Sequence, residues 1–238
     1  MRQELATAQE TAFTRLGAAG TWLTGAERVA IAAETRNATH CPLCAARANA
    51  LSPLGVHGQH ASLGRLDEAD IEAIHRIRTD SGRLGDAWFN RVGGTNHPHY
   101  IELVSIVVIT TAIDTFRAAA GLAELALPEP EAGAPTRRLP VGAKPGPGWT
   151  ASLRPEDVTT NEPDLFRDHP GPRERRGANI HLTLSLVPHS MIHWWDMLEP
   201  MYMSGPQMRQ FDTEFRAISH AQLEMLAARV AALNRCEY

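Results

Sequence analysis

The amino-acid sequence predicts an all-α fold, and three observations carry that expectation. Apolar residues recur at helical spacing along most of the chain, and no run alternates with the period of a strand. Seven of the 16 prolines fall in one stretch, 127–155, which separates helical segments on either side. Two Ala-rich segments also open with capping boxes, Thr24-x-x-Glu27 and Ser219-x-x-Gln222. In each, the cap residue and the third helical residue satisfy one another's backbone donors.

The first helix is expected at about 3–16, where Arg2, Glu4 and Glu10 make the start polar and mixed in charge. A second runs over 25–50 from the Thr24 cap, with Pro42 able to begin a separate segment. Helical spacing continues over 67–79 and 83–92. The helix at 98–121 holds the most apolar stretch, Leu103 to Ile113, interrupted by Ser105, Thr110 and Thr111. That stretch is short of the roughly 20 residues needed to cross a bilayer, so it reads as a core helix. Seven prolines (Pro128, Pro130, Pro135, Pro140, Pro145, Pro147 and Pro155) bar a helix from the next stretch. An irregular charged segment follows at 159–177, then helices at 177–203 and 206–235, each broken once. The chain thus divides into an N-terminal unit (1–126), a linker with an irregular segment (127–176) and a C-terminal unit (177–238).

With 238 residues, 43% hydrophobic and 21% charged, the chain has the composition of a folded soluble protein. Its net charge is −4 and its basic residues are scattered, which excludes the basic stripe of a nucleic-acid binder. The N-terminus has no apolar leader segment, and a cytoplasmic location without membrane association is expected. The three cysteines, Cys41, Cys44 and Cys236, do not form a disulfide framework.

The Cys41-x-x-Cys44 pair is the strongest chemical signal. Two thiols at this spacing can be oxidised to a disulfide with little backbone movement, and a nearby cation or helix N-terminus turns one into a reactive thiolate. His40 is next to the pair. The same thiols suit a metal, because Cys41-x2-Cys44-x12-His57-x2-His60 approaches the spacing of a Cys2His2 zinc site. Thiol redox and metal binding compete for the same sulfurs. Elsewhere, Asp114 inside an apolar helix needs a partner, with Arg117 the nearest candidate. His97, His99, His181, His189 and His193 read as capping, surface or half-buried residues. The methionines clustered from Met191 to Met225 read as adaptable core or interface filler.

Shifting the sequence by 195 positions lays Cys41 on Cys236, Leu23 on Ile218, Ile31 on Leu226, and Ala32 and Ala33 on Ala227 and Ala228. Each copy is a capped Ala-rich helix ending at a cysteine, which points to duplication. The segments Leu23–Arg28 through Cys41–Cys44, and Ile218–Glu224 through Cys236, resemble the AhpD-like and carboxymuconolactone decarboxylase superfamily. The order of parts resembles its alkylhydroperoxidase-related branch.

The resemblance implies an AhpD-like helical bundle of two related units, a homo-oligomer, and a thiol-dependent peroxidase that needs no cofactor. Its partners would be a peroxide or other small oxidisable substrate and a thiol reductant. By the family's order, Cys44 attacks and Cys41 resolves, with Glu34 or His60 relaying the proton. The family pattern is Glu, twelve positions on Cys, three more to Cys and four more to His. Glu224 and Cys236 keep the first spacing. The N-terminal copy has Val29 and Ala48 at the Glu and His positions, and Glu27, Glu34, His57 or His60 could stand in for them. A chain halting at Tyr238, one residue before an expected Cys, reads either as truncated or as stopping at a codon read elsewhere as selenocysteine. Under the metal reading the ligands are Cys41, Cys44, His57 and His60, holding zinc or another transition metal. A third reading is a redox-inactive scaffold or binding protein.

Overall fold

The computed structural model describes residues 1–94, 96–146, 148–163, 165–166, 182–234 and 236. Among them the chain forms nine α-helices and a two-stranded antiparallel ribbon, as the helical spacing predicts. The most apolar helix, α6 (His97–Ala119), is the axis of the fold. Its N-terminus is set by Asn96, whose side chain accepts a hydrogen bond from the His99 amide. Its residues Ile101, Leu103, Ile106, Val107, Ile109 and Ile113 are all buried. Against it lie α2 (Gly25–Asn37), α4 (Glu68–Asp80) and α7 (Pro188–Met201). Helix α1 (Gln3–Thr14) packs on α7, and Phe13 joins Ile109, Ile113 and Met197 in a second apolar cluster. Among the described residues, no helix is long and apolar enough to cross a membrane.

The main core draws on both sides of the Pro-rich stretch. Leu16, Leu23, Ile31 and Ile106 share one cluster with Leu153, Leu165, Leu184, Val187 and Met191. The 127–155 stretch is irregular apart from its ribbon, β1 (Lys144–Pro145) and β2 (Ala151–Ser152), and it is strapped onto the helices. The Glu131 amide donates to the Gly17 carbonyl and the Arg137 amide to the Thr21 carbonyl, both at 2.8 Å.

The continuous helix expected at 25–50 is interrupted. After α2, a 3-10 turn at Ala38–His40 leads to an extended Cys41 (φ −75°, ψ 119°), and α3 (Pro42–Asn49) starts afresh. Pro42 has no N–H to donate and clashes with a helical residue before it, so Cys41 is forced out of the helical conformation. The helix expected at 83–92 begins later, as α5 (Asp86–Val92), after a 3-10 turn at Ser81–Arg83. Of the helix expected at 177–203, residues 177–181, His181 among them, lie outside the described residues; a helical residue at Leu182 gives way to turns, and a new helix begins at Pro188. Most of the segment at 159–177 is also outside them.

The last expected helix is broken, into α8 (Gly205–Met208) and α9 (His220–Leu233). Both capping boxes are present, at Thr24 and at Ser219. The two capped helices differ in environment. Ile31 and Ala32 of α2 are fully buried, whereas Met225, Leu226, Val230 and Leu233 of α9 are exposed.

Candidate metal centre

Because α3 restarts at Pro42, Cys41 becomes its N-cap residue and Cys44 sits in its first turn. Both thiols are free and buried. The irregular chain after α3 folds back over them. The Asn37 amide group donates to the Ala61 carbonyl at 2.6 Å, the Leu63 amide to Glu34 at 2.9 Å, and the Ala61 amide to Cys41 Sγ at 3.4 Å. These bonds carry His60 over the pair, with its Nδ1 3.6 Å from Cys41 Sγ and 3.5 Å from Cys44 Sγ.

Helix α4 closes the opposite side. His75, fully buried, places Nδ1 3.2 Å from Cys44 Sγ. One ligand atom from each of Cys41, Cys44, His60 and His75 lies within 4.8 Å of all the others. A tetrahedral zinc with ordinary Zn–S and Zn–N bonds has S···N edges of about 3.6 Å, so the spacing fits that ion.

The far side of each imidazole is held by a carboxylate. His75 Nε2 is 2.8 Å from Glu34, and His60 Nε2 is 2.8 Å from Glu72. Glu72 also accepts from Arg47 at 2.9 Å and from the Trp88 indole at 3.2 Å. A carboxylate on Nε2 fixes the tautomer in which Nδ1 carries the lone pair, which is the usual support for a metal-ligating histidine.

The electrostatics of the metal-free site follow from the same contacts. Burial alone would raise the Cys44 thiol, but bonds to His60 and His75 prevail and bring it down to about 6. Burial would likewise depress His60, yet Cys44 and Glu72 hold it up at about 10. Glu72 is pushed down to about 2, its burial outweighed by His60 and Arg47. Cys41 falls below its usual range: burial opposes this, while the Cys44 and Ala61 amides and His60 drive it. In His75, the hydrogen bonds to Cys44 and Glu34 outweigh desolvation and raise the pKa.

Among the sequence-predicted residues, the structure brings together Cys41, Cys44, His60 and Glu34. His57 is corrected: it is exposed and outside the group. Val56 is extended and packs inward against the cysteines, so the next side chain along the strand-like backbone points outward. His40 is exposed as well. Glu224 bonds to the Tyr202 hydroxyl at 2.6 Å and Cys236 is exposed; neither joins the cysteine–histidine group. Asp114 pairs with Arg36 across the helix interface, at 2.8 and 2.9 Å, and not with Arg117.

No protein-family model matches the chain, and no curated protein or solved structure matches it either.

The functional residue that sequence reading missed is His75, with Glu72 beside it. The signal was present in α4, where His75 follows Ile71 by one turn on the buried face. A histidine on an apolar stripe, in a chain with an unpaired CxxC, is a ligand candidate.

Proposed function

We propose that the chain binds one zinc ion, or another thiolate-favouring transition metal, through Cys41, Cys44, His60 and His75. The observation that carries this reading is the paired orientation of the two imidazoles. Each turns Nδ1 toward the sulfurs and Nε2 toward its own carboxylate, Glu34 or Glu72. Four protein ligands in a buried site leave no position for substrate, so the ion's role is structural. It ties α3, the loop carrying His60, and α4 to one point. The test is elemental analysis of purified protein together with thiol titration before and after one equivalent of peroxide. Stoichiometric metal with protected thiols is expected. Metal-free protein that loses two thiols overturns the reading.

A second reading is favoured by one observation, the lowered Cys44 thiol beside the proton-bearing His60. In metal-free protein the Cys44 thiolate would attack a peroxide oxygen. The O–O bond breaks, and the departing hydroxide or alkoxide takes a proton from His60. The Cys41 thiol then attacks the sulfenic acid, water leaves, and a disulfide remains for a thiol reductant to restore. Here Cys44 attacks, Cys41 resolves, and Glu34 acts through His75 as a positioning residue.

A further inference from the structure

Away from the cysteines, the segment after α1 and the start of α7 enclose a cleft of about 420 Å³. Among the described residues, its titratable lining consists of Arg15, Arg28, His189 and His193, with no carboxylate. The acids that balance the arginines stand behind this lining: Arg15 pairs with Asp196 at 2.6 Å, and Arg28 with Glu102 at 3.0 Å. Arg28 is 8% exposed and its Nη2 donates to the Arg15 carbonyl at 3.2 Å, while its Nε is buried with no hydrogen-bond partner among the described residues. An orphan donor of this kind marks a guanidinium whose hydrogen bonding is incomplete. Thr21 and Ser190, 5% and 6% exposed, add hydroxyls to the same wall.

Two further features mark the cleft as built. Gly20 lines it, and a Cβ there would lie 1.7 Å from Glu102 Oε1 and 2.2 Å from Arg28 Nη1, so only glycine lets the chain pass this ion pair. His193 donates Nε2–H to the Ala12 carbonyl at 2.8 Å, which leaves its Nδ1 an acceptor. Burial and the nearby Arg28 drive its pKa down to about 4, so at neutral pH it stays uncharged.

We infer that this cleft binds a small organic carboxylate, with the carboxyl group at Arg28, Arg15 and Ser190 and a compact apolar body against Ala18, Ala19 and Ile192 of the lining. The volume suits a small metabolite and is at the lower end of ordinary ligand pockets. Arginine supplies the planar donor geometry that a carboxylate matches. The inference does not depend on the metal centre.

The test is calorimetric titration of the intact, metal-replete protein with lactate and with benzoate, at constant ionic strength, with chloride and inorganic phosphate as controls. One saturable site for at least one carboxylate is expected. The Ala19→Leu variant, which fills the cleft, should weaken it at least tenfold with circular dichroism and metal content unchanged. If that variant does not fold, Ser190→Ala, which removes a single hydroxyl, should still weaken binding severalfold. Absence of saturation overturns the inference. So does equal binding by phosphate, which marks a general anion site, or carboxylate binding unaffected by the folded variants.

Discussion

Glu34 on α2 accepts a hydrogen bond from His75 Nε2 on α4 at 2.8 Å, and this contact aims His75 Nδ1 at Cys44. Both residues are fully buried, so neither can turn to water instead. Glu34 also receives Asn37 and the Leu63 amide, at 2.9 Å each. A single carboxylate therefore orients one imidazole and anchors the loop that carries the other.

The ligand set is tested by paired histidine variants. His75→Ala is expected to lower bound metal from one equivalent to well below half at micromolar protein, while His57→Ala keeps the full equivalent. Elemental analysis after gel filtration gives both numbers. Equal retention by the two variants would remove His75 from the site.

Supporting carboxylates are expected to tune affinity without setting stoichiometry. Glu34→Gln and Glu72→Gln keep the approximate shape of the side chain and remove its charge. Each should weaken metal binding roughly 10- to 100-fold, the usual cost of losing such a partner. Competition with a chromophoric chelator measures the change, and saturating zinc should restore one equivalent in both variants.

How much of this centre could be read in advance depends on sequence distance. Cys41, Cys44 and His60 fall in one short stretch, so their spacing alone raised a metal or redox pair. Pro42 was equally legible, because its effect on the preceding residue is local. His75 is 31 positions from Cys44, and it reaches the sulfur only because α4 packs on both α2 and α3. No local rule contains that packing. The sequence places both His57 and His60 in the ligand set; which way the irregular loop faces excludes His57, because Val56 packs inward. For α9, the capping box was readable from Ser219 and Gln222, but its sequence echo of α2 did not predict that its apolar side chains would be exposed.

Metal removal is expected to loosen one region in particular. With four ligands joined through one ion, the loop around His60 loses one anchor and keeps its hydrogen bonds to Asn37, Glu34 and Cys41 when the ion is chelated. An ion present at a thousandfold above its dissociation constant contributes about 4 kcal/mol to folding. Chelation should therefore lower the unfolding midpoint by several degrees or more. It should also open the chain between Ala50 and Leu66 to limited proteolysis ahead of α6. A melting temperature unchanged by chelator would contradict a structural ion.

In the metal-free protein the thiolate of Cys44 should be present at neutral pH. Its thiol is lowered to about 6 from an ordinary value near 9, so ultraviolet thiolate absorbance should rise with a midpoint near pH 6. Cys44→Ser should abolish that transition. Adding one equivalent of zinc should move it to lower pH, because the metal binds only the deprotonated sulfur. Peroxide should oxidise the metal-free thiols to a disulfide and leave the zinc form largely unreacted.

Glu72 gives the metal-free fold one acid-sensitive contribution. Its carboxyl is held down to about 2 from an ordinary 4.5, because His60 and Arg47 outweigh its burial. A depressed folded-state pKa means that the unfolded chain binds the proton more tightly. The contribution of Glu72 is therefore fully present above about pH 4.5 and is lost as pH falls toward 2. Glu72→Gln carries no such titration. Urea unfolding of metal-free wild type and variant, followed from pH 6 downward, should show the wild type more stable at the start and the two curves converging in acid. A constant difference down to pH 2 would mean that the His60–Glu72–Arg47 contacts do not hold the carboxylate in its charged form.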